Sequence, residues 1–209
     1  MNDDSATIRG ILEELRSEYA ACCPLDVDDP EAPITERDIV AEILNRLRAF
    51  CRSKGYQVHC EIKPAPDSSI GPERMRKLPR VDVVVLTNKN SASWLSAAKI
   101  LQNKYDKGSI QARFSSIPVE FFHTAIEAKI QSDVANAKED IDTLKMIRES
   151  NPCCSCFFVL LNARGRVGDH DLIQEYARQK GIEIIEYTAK RNGTTRCRTG
   201  RGDKARPAG

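Results

Sequence analysis

The segment Val81-Asp82-Val83-Val84-Val85-Leu86 decides the fold. Its valine and leucine residues form a short apolar run rich in β-branched side chains, which is typical of a buried β-strand. Asp82 is the one interruption. We therefore predict a core strand here and treat Asp82 as a candidate functional residue, with an ordinary edge-strand or turn acid as the alternative.

Segments with helical and strand periodicity surround this strand. Thr35 followed by Asp38 indicates the start of the first core helix. Apolar spacing predicts helices over residues 35–54, 132–149 and 169–180. Further strands are predicted over residues 56–62, 119–130, 156–161 and 182–187. This order predicts an α/β fold with a central mixed β-sheet flanked by helices, since a strand-helix-strand connection normally gives parallel pairing.

The chain divides into three predicted parts. Residues 1–33 hold a short amphipathic helix, which we interpret as an accessory, and an acidic proline-containing linker. Residues 34–189 are predicted to form the core domain, with an inserted helix at about residues 91–110. Residues 190–209 hold seven basic residues and one acidic residue, and we predict a disordered tail. This tail could contact phosphate nonspecifically or be an ordinary solvated terminus.

Composition excludes some classes of protein. The chain is 41% hydrophobic and 30% charged, and no apolar run approaches the roughly 20 residues that a membrane span needs. The N-terminus lacks the basic and apolar regions of a secretory signal, so we expect a cytoplasmic protein with no membrane partner.

The eight cysteines are then expected to be reduced thiols. Cys153, Cys154 and Cys156 could bind zinc, but the alternative of buried strand cysteines is favoured.

A Glu-x-Lys motif occurs twice, as Glu61-Ile62-Lys63 and as Glu127-Ala128-Lys129. Because side chains alternate along a strand, Glu127 and Lys129 should project from one face, with their apolar neighbours on the other. Asp82 lies on a core strand just upstream and could converge with Glu127. The first copy has no such partner, and Pro64 ends its strand at once. We therefore favour the second copy.

These residue types suit metal-dependent phosphodiester hydrolysis. Mg²⁺ prefers oxygen ligands and usually takes only one or two protein carboxylates, a role that fits Asp82 and Glu127. The metal lowers the pKa of a bound water and neutralises charge on the phosphate. A nearby ammonium group can orient that water and stabilise the same charge, a role that fits Lys129.

Over residues 34–161, the motif and the order of elements resemble the PD-(D/E)xK, or restriction-endonuclease-like, nuclease superfamily. The resemblance implies an αβββαβ core, here with an added helix and strand on the C-terminal side. It also implies a metal-binding Glu on the first core helix, with Glu36 as first choice and Glu42 as second, and a polar contact near the substrate from Gln131. The chain departs from the family in having Val81 before Asp82 and a long gap between Asp82 and Glu127.

The resemblance implies a Mg²⁺-dependent endonuclease, with Mn²⁺ as a substitute metal, that hydrolyses DNA rather than RNA. A prokaryotic restriction, defence or mobile-element system is the expected setting, and a homodimer is left open. The alternative is a noncatalytic nucleic-acid-binding or regulatory module on the same fold.

For several residues, a purely structural role is an alternative to a role in catalysis or substrate binding. Glu127 with Lys129 could be a cross-strand ion pair, and Glu36 an ordinary first-turn acid. His123 shares the face of Glu127, but packing is its favoured role. The basic residues of the following helix could reach phosphate, although a solvated face is the favoured interpretation; they are Lys138, Lys145 and Arg148.

Overall fold

The computed structural model describes residues 3–22, 35–65, 79–87, 116–130, 134–162 and 167–188. These residues form a mixed six-stranded β-sheet with helices on both faces, so the predicted α/β class is confirmed. The elements in chain order are α1 (Asp3–Cys22), α2 (Glu36–Lys54), β1 (Gln57–Ala65), β2 (Val81–Leu86), β3 (Ser116–Pro118), a 3₁₀ turn (Val119–Phe121), β4 (Thr124–Ile130), α3 (Val134–Ser150), β5 (Ser155–Asn162), α4 (Val167–Lys180) and β6 (Glu183–Thr188).

The strands lie in the order β3-β1-β2-β4-β5-β6. Strands β1, β2 and β4 are joined by antiparallel pairing, and β1 also pairs with β3 in parallel. Strands β4, β5 and β6 are parallel and are connected through α3 and α4. The parallel pairing predicted for the strand-helix-strand connections is therefore confirmed, and β2 and β4 are the two middle strands.

Two apolar cores lie on opposite faces of this sheet. The α1–α2 core covers one face and includes Ile8, Leu12, Leu15, Ile39, Ile43, Leu47, Val83, Val85, Ile126, Ala128 and Tyr187. The α3–α4 core covers the other face and includes Val84, Leu86, Ala125, Ala137, Ile141, Leu144, Phe158, Leu160, Ile173 and Ala177. Because side chains alternate along β4, Ile126 and Ala128 face the first core while Glu127 and Lys129 face the second.

Helix α2 begins where the sequence predicted. The main-chain N–H of Thr35 donates a hydrogen bond to Asp38 Oδ2 over 2.7 Å, and the two residues form a reciprocal capping box. These hydrogen bonds lower the pKa of Asp38. The helix ends at Gly55, whose φ of 70° is the left-handed conformation that glycine adopts without steric cost. The capping box fixes Glu36 in the first turn of the helix.

The single strand predicted over residues 119–130 is confirmed over Thr124–Ile130 and wrong over residues 119–123. The structure has the short strand β3, then a 3₁₀ turn closed by a hydrogen bond from Phe122 N–H to the Val119 carbonyl, and only then β4 from Thr124. Pro118 supplies a physical reason, since it has no N–H to continue a strand ladder. The apolar composition of the segment favoured a strand, but the sequence pattern did not show where the pairing stops.

Helix α1 lies within the core, whereas the sequence suggested an accessory helix. Ile8 and Leu12 are fully buried, and the Tyr187 hydroxyl donates a hydrogen bond to the Leu12 carbonyl over 3.0 Å. An ion pair of 2.7 Å between Arg9 and Glu183 adds a surface contact to β6. The amphipathic pattern identified the apolar face of α1, but local spacing carries no information about a partner strand more than 160 residues away.

Several predictions lie outside the described residues. These are the linker predicted from Cys22 to Pro33, of which all but Cys22 lies outside, the inserted helix at about residues 91–110, the contact from Gln131 and the basic tail at residues 190–209. Among the residues that are described, no helix combines the length and the apolarity that crossing a membrane requires.

The position of α1 predicts a large cost for changing its apolar face. Leu12→Ala should lower the free energy of unfolding by about 2–5 kcal/mol, because it leaves a cavity in a packed core. Urea unfolding of the full chain measures this change. Leu172 is 57% exposed, so Leu172→Ala is a matched control that should cost less than about 0.5 kcal/mol. Equal, small effects of the two substitutions would restore the accessory interpretation.

Candidate active site

Strands β2 and β4 bring Asp82 and Glu127 to adjacent positions. Their register pairs Val84 with Ala125 and ends with Val83 opposite Ile126, and Asp82 and Glu127 are the next residues of the two strands. The carboxyl groups of Asp82 and Glu127 are within hydrogen-bond distance of each other. The main-chain N–H of Ala128 donates a hydrogen bond to Asp82 Oδ2 over 2.8 Å. The convergence of the two carboxyl groups that the sequence predicted is therefore present in the structure.

Both carboxyl groups are buried. Glu127 is 1% exposed and Asp82 is 9% exposed. Burial raises the pKa of Glu127 well above its usual value, and the neighbouring charges of Asp82 and Asp140 raise it further. Burial also raises the pKa of Asp82, although the hydrogen bond from Ala128 opposes this shift. A hydrogen bond between the two carboxyl groups raises the pKa of Glu127 further and lowers that of Asp82, so the shared proton belongs to Glu127.

One carboxylate oxygen of the Asp82–Glu127 pair, Glu127 Oε1, is suited to bind a cation. Among the described residues, none donates a hydrogen bond to the buried Oε1 atom of Glu127. Like charges directly opposite each other on neighbouring strands repel, so a proton or a cation must offset them. The described residues include no group of three or more His, Cys, Asp or Glu side chains arranged to hold a metal. A hard cation such as Mg²⁺ does not need one, because it takes one or two carboxylates and retains several waters.

Lys129 lies beside this pair and between two further carboxylates. Its Nζ atom is 3.0 Å from Glu36 Oε1 and 3.4 Å from Asp140 Oδ2. Burial alone would lower the pKa of Lys129, but the hydrogen bond to Glu36 and the charges of Asp140 and Asp82 outweigh burial and raise it. The side chain therefore carries its positive charge at neutral pH.

The structure brings Glu36 to the site through Lys129. The Glu36 side chain is 39% exposed and lies in the first turn of α2, where the capping box holds the helix start. Glu42, the second choice from the sequence, instead forms an ion pair of 3.0 Å with Arg46 one turn further along the same helix. Of the two helix acids, Glu36 is the one that contacts the candidate site.

Asp140 is a member of the site that the sequence analysis missed. It lies on α3 with its side chain 14% exposed. Burial raises the pKa of Asp140 to about 6, although Lys129 opposes this shift. A signal was present in the sequence, because Ala137, Ile141 and Leu144 form the buried stripe of α3 and Asp140 falls within that stripe. An acid at an apolar position of an amphipathic helix indicates a buried polar partner.

The first Glu-x-Lys copy lies in a different environment. Glu61 is exposed, and one of its carboxylate oxygens is 3.9 Å from Arg80 Nη1. An exposed ion pair at that distance contributes little free energy. The two copies are thus distinguished by burial, and Glu61 provides a matched control for Glu127.

His123 packs at the other end of β4. Its Nδ1 atom is 2.9 Å from Thr124 Oγ1, and its ring lies 5.5 Å from the ring of Tyr56. Burial lowers the pKa of His123, which favours the neutral imidazole. Lys129 lies at the opposite end of the strand, so these contacts agree with the packing role that the sequence favoured.

The cysteines near β5 pack in the apolar interior. Cys154 and Cys156 are buried and belong to the α3–α4 core, whereas Cys153 is exposed. A hydrogen bond with Cys156 and burial raise the pKa of Cys154 well above its usual value, which favours the neutral thiol. Zinc binds the thiolate form of cysteine, so this environment supports the buried strand cysteine interpretation.

No model of a known protein family matches this chain, and no curated protein matches it either. The interpretation of the site therefore depends on the geometry described above.

The burial of Glu127 predicts a pH-dependent effect of removing its charge. In the presence of a chelator, Glu127→Gln should raise the free energy of unfolding at about pH 7.5 by about 1–2 kcal/mol, because it removes a carboxyl group whose ionisation burial disfavours. A carboxyl group whose pKa is raised by folding loses its stabilising contribution as the pH rises through that pKa. The gain from Glu127→Gln should therefore shrink at about pH 5, where wild-type Glu127 is largely protonated.

Urea unfolding of both proteins at both pH values measures this effect. Comparing the variant with wild type cancels the titration of His59 and His123, whose pKa values are lowered by burial. Glu61→Gln, at an exposed position, should give no pH-dependent difference. A constant difference between Glu127→Gln and wild type at the two pH values would contradict the raised pKa of Glu127.

Proposed function

We propose that the protein is a Mg²⁺-dependent phosphodiesterase that cleaves DNA internally. One observation carries this proposal: two buried carboxyl groups, Asp82 and Glu127, lie opposite each other beside the charged ammonium group of Lys129. A cation with oxygen ligands offsets the repulsion between the carboxylates, and a lysine next to such a cation suits an anionic substrate.

Each residue has a distinct role in this proposal. Asp82 and Glu127 hold the cation, and the N–H of Ala128 orients the Asp82 carboxylate. Bound Mg²⁺ lowers the pKa of a coordinated water and neutralises negative charge on the phosphate. Lys129 keeps its proton at neutral pH, so it can orient the attacking water and stabilise the charge that develops in the transition state. Glu36 supports the site through its ion pair with Lys129.

The order of the elements supports the same activity. Helix α2, the antiparallel strands β1, β2 and β4, helix α3 and the parallel strand β5 occur in this order along the chain, with the short strand β3 inserted between β2 and β4. Apart from β3, this order agrees with the αβββαβ core implied by the resemblance to the PD-(D/E)xK nuclease superfamily, in which Asp82, Glu127 and Lys129 would be the motif residues. The helix α4 and strand β6 are the addition expected on the C-terminal side.

The substrate and setting rest on that resemblance. We propose DNA rather than RNA as the substrate and a prokaryotic restriction, defence or mobile-element system as the setting. Mn²⁺ should substitute for Mg²⁺, because both are divalent cations that accept carboxylate and water ligands.

A cleavage assay tests the activity. Purified full-length protein should nick or cut plasmid or single-stranded DNA with Mg²⁺ or Mn²⁺, and a chelator should abolish the reaction. Asp82→Asn, Glu127→Gln and Lys129→Met should each lower the rate by about 100-fold or more, because the first two remove a metal ligand and the third removes the ammonium group that stabilises charge on the reacting phosphate. Glu61→Gln should cleave like wild type. Full activity in any of the three site variants would contradict the role of that residue.

Metal binding is a separate test. Calorimetric titration should show wild-type protein binding Mg²⁺ or Mn²⁺, and Glu127→Gln should weaken this binding by at least about tenfold. Glu61→Gln should bind like wild type. An intact metal site without cleavage of any nucleic acid would support the noncatalytic binding or regulatory module. Failure of the wild-type protein to bind either ion at millimolar concentration would contradict the proposed metal site.

A further inference from the structure

We propose that Asp140 is a positioning residue that holds the ammonium group of Lys129 beside the Asp82–Glu127 pair. The ion pair is a property of the described structure, and its consequence for catalysis rests on the proposed function.

Lys129 is held from two sides by different elements. Its Nζ atom lies 3.0 Å from Glu36 on α2 and 3.4 Å from Asp140 on α3, while the lysine itself belongs to β4. A lysine side chain is flexible and carries three N–H donors, so a single anchor leaves it able to rotate. Two anchors on separate elements restrict the position of the ammonium group.

Asp140 is the better-shielded of these anchors. The Glu36 side chain is 39% exposed, whereas that of Asp140 is 14% exposed. Solvent and salt screen an exposed ion pair more strongly than a partly buried one. The buried stripe of α3 on either side of Asp140, which includes Ala137 and Ile141, also fixes the helix against the sheet. Glu36 makes the shorter contact with Lys129, and Asp140 provides the anchor that solvent screens less.

The surroundings of Asp140 favour a contact with lysine over a contact with metal. Among the described residues, none donates a geometrically good hydrogen bond to its buried Oδ2 atom, and Lys129 is the cation that this atom faces. The same residues include no cluster in which Asp140 joins Asp82 and Glu127 as a third ligand. We infer that Asp140 acts through Lys129.

Kinetics with full-length protein test this role. At saturating Mg²⁺, Asp140→Asn should lower kcat by about 10- to 100-fold, because a misplaced catalytic group loses much of its effect. KM for DNA and the calorimetric affinity for Mg²⁺ should stay within about twofold of wild type, since Asp140 touches neither. Asp140→Glu, which keeps the charge, should recover most of kcat. Asp142→Asn is the matched control on the same helix, where Asp142 binds the Tyr176 hydroxyl, and it should leave kcat unchanged.

A double substitution separates positioning from direct action. In a Lys129→Met background, adding Asp140→Asn should cause no further loss of kcat, because the group that Asp140 positions is already absent. An equal further loss in that background would overturn the proposal. A fall in Mg²⁺ affinity as large as that of Glu127→Gln would also overturn it and make Asp140 a metal ligand.

A thermal-unfolding cycle tests the ion pair without any activity. With a chelator present, Asp140→Asn should raise the unfolding midpoint more in the Lys129→Met background than in wild type, because without the lysine the Asp140 charge has no cation to offset it. Asp142→Asn should shift the midpoint equally in both backgrounds. Equal shifts for Asp140→Asn would overturn the ion pair. If the wild-type protein cleaves no nucleic acid, the proposed function fails. The thermal-unfolding cycle would still show whether Lys129 and Asp140 form an ion pair.

Discussion

The repulsion between two buried carboxyl groups is the constraint on which the candidate site depends. Asp82 and Glu127 lie opposite each other on the two middle strands of the sheet, where water reaches them poorly. Burying such a pair costs free energy unless protons, a cation or hydrogen bonds offset the charge. The hydrogen bond from Ala128 and the ammonium group of Lys129 each offset part of it. The buried Asp82–Glu127 pair therefore lowers the stability of the fold, and apolar packing elsewhere must outweigh this cost.

The charges of the site remain unbalanced when only the described residues are counted. Lys129 supplies one positive charge, while Asp82, Glu127, Asp140 and Glu36 supply up to four negative charges. The raised pKa values of Glu127, Asp82 and Asp140 indicate that the site relieves part of this excess by binding protons. A divalent cation would replace those protons and allow the carboxylates to ionise. Metal binding and proton release are therefore expected to be linked at this site.

The sequence predicted those features that depend on local patterns. The apolar run of β2, the capping box at Thr35 and the parallel pairing around α3 and α4 follow from residue type, spacing and connection length. The strand predicted over residues 119–130 was right over Thr124–Ile130 and wrong before it, because composition does not show where a strand loses its partner. Asp140 was missed because its partner, Lys129, lies on another element, although an acid within an apolar stripe was a usable signal. The importance of α1 likewise depends on β6, which no local pattern identifies.

The contact between α1 and β6 also affects the order in which the chain can fold. Helix α1 is the first described element to leave the ribosome, yet its apolar face packs beside Tyr187 in the last described strand, and Tyr187 bonds to the Leu12 carbonyl. A contact between such distant parts of the chain is slow to form because a long loop must close first. During synthesis, the part of the α1 face that packs against β6 therefore stays uncovered until β6 has emerged. Apolar surface exposed in this way during folding is prone to aggregation.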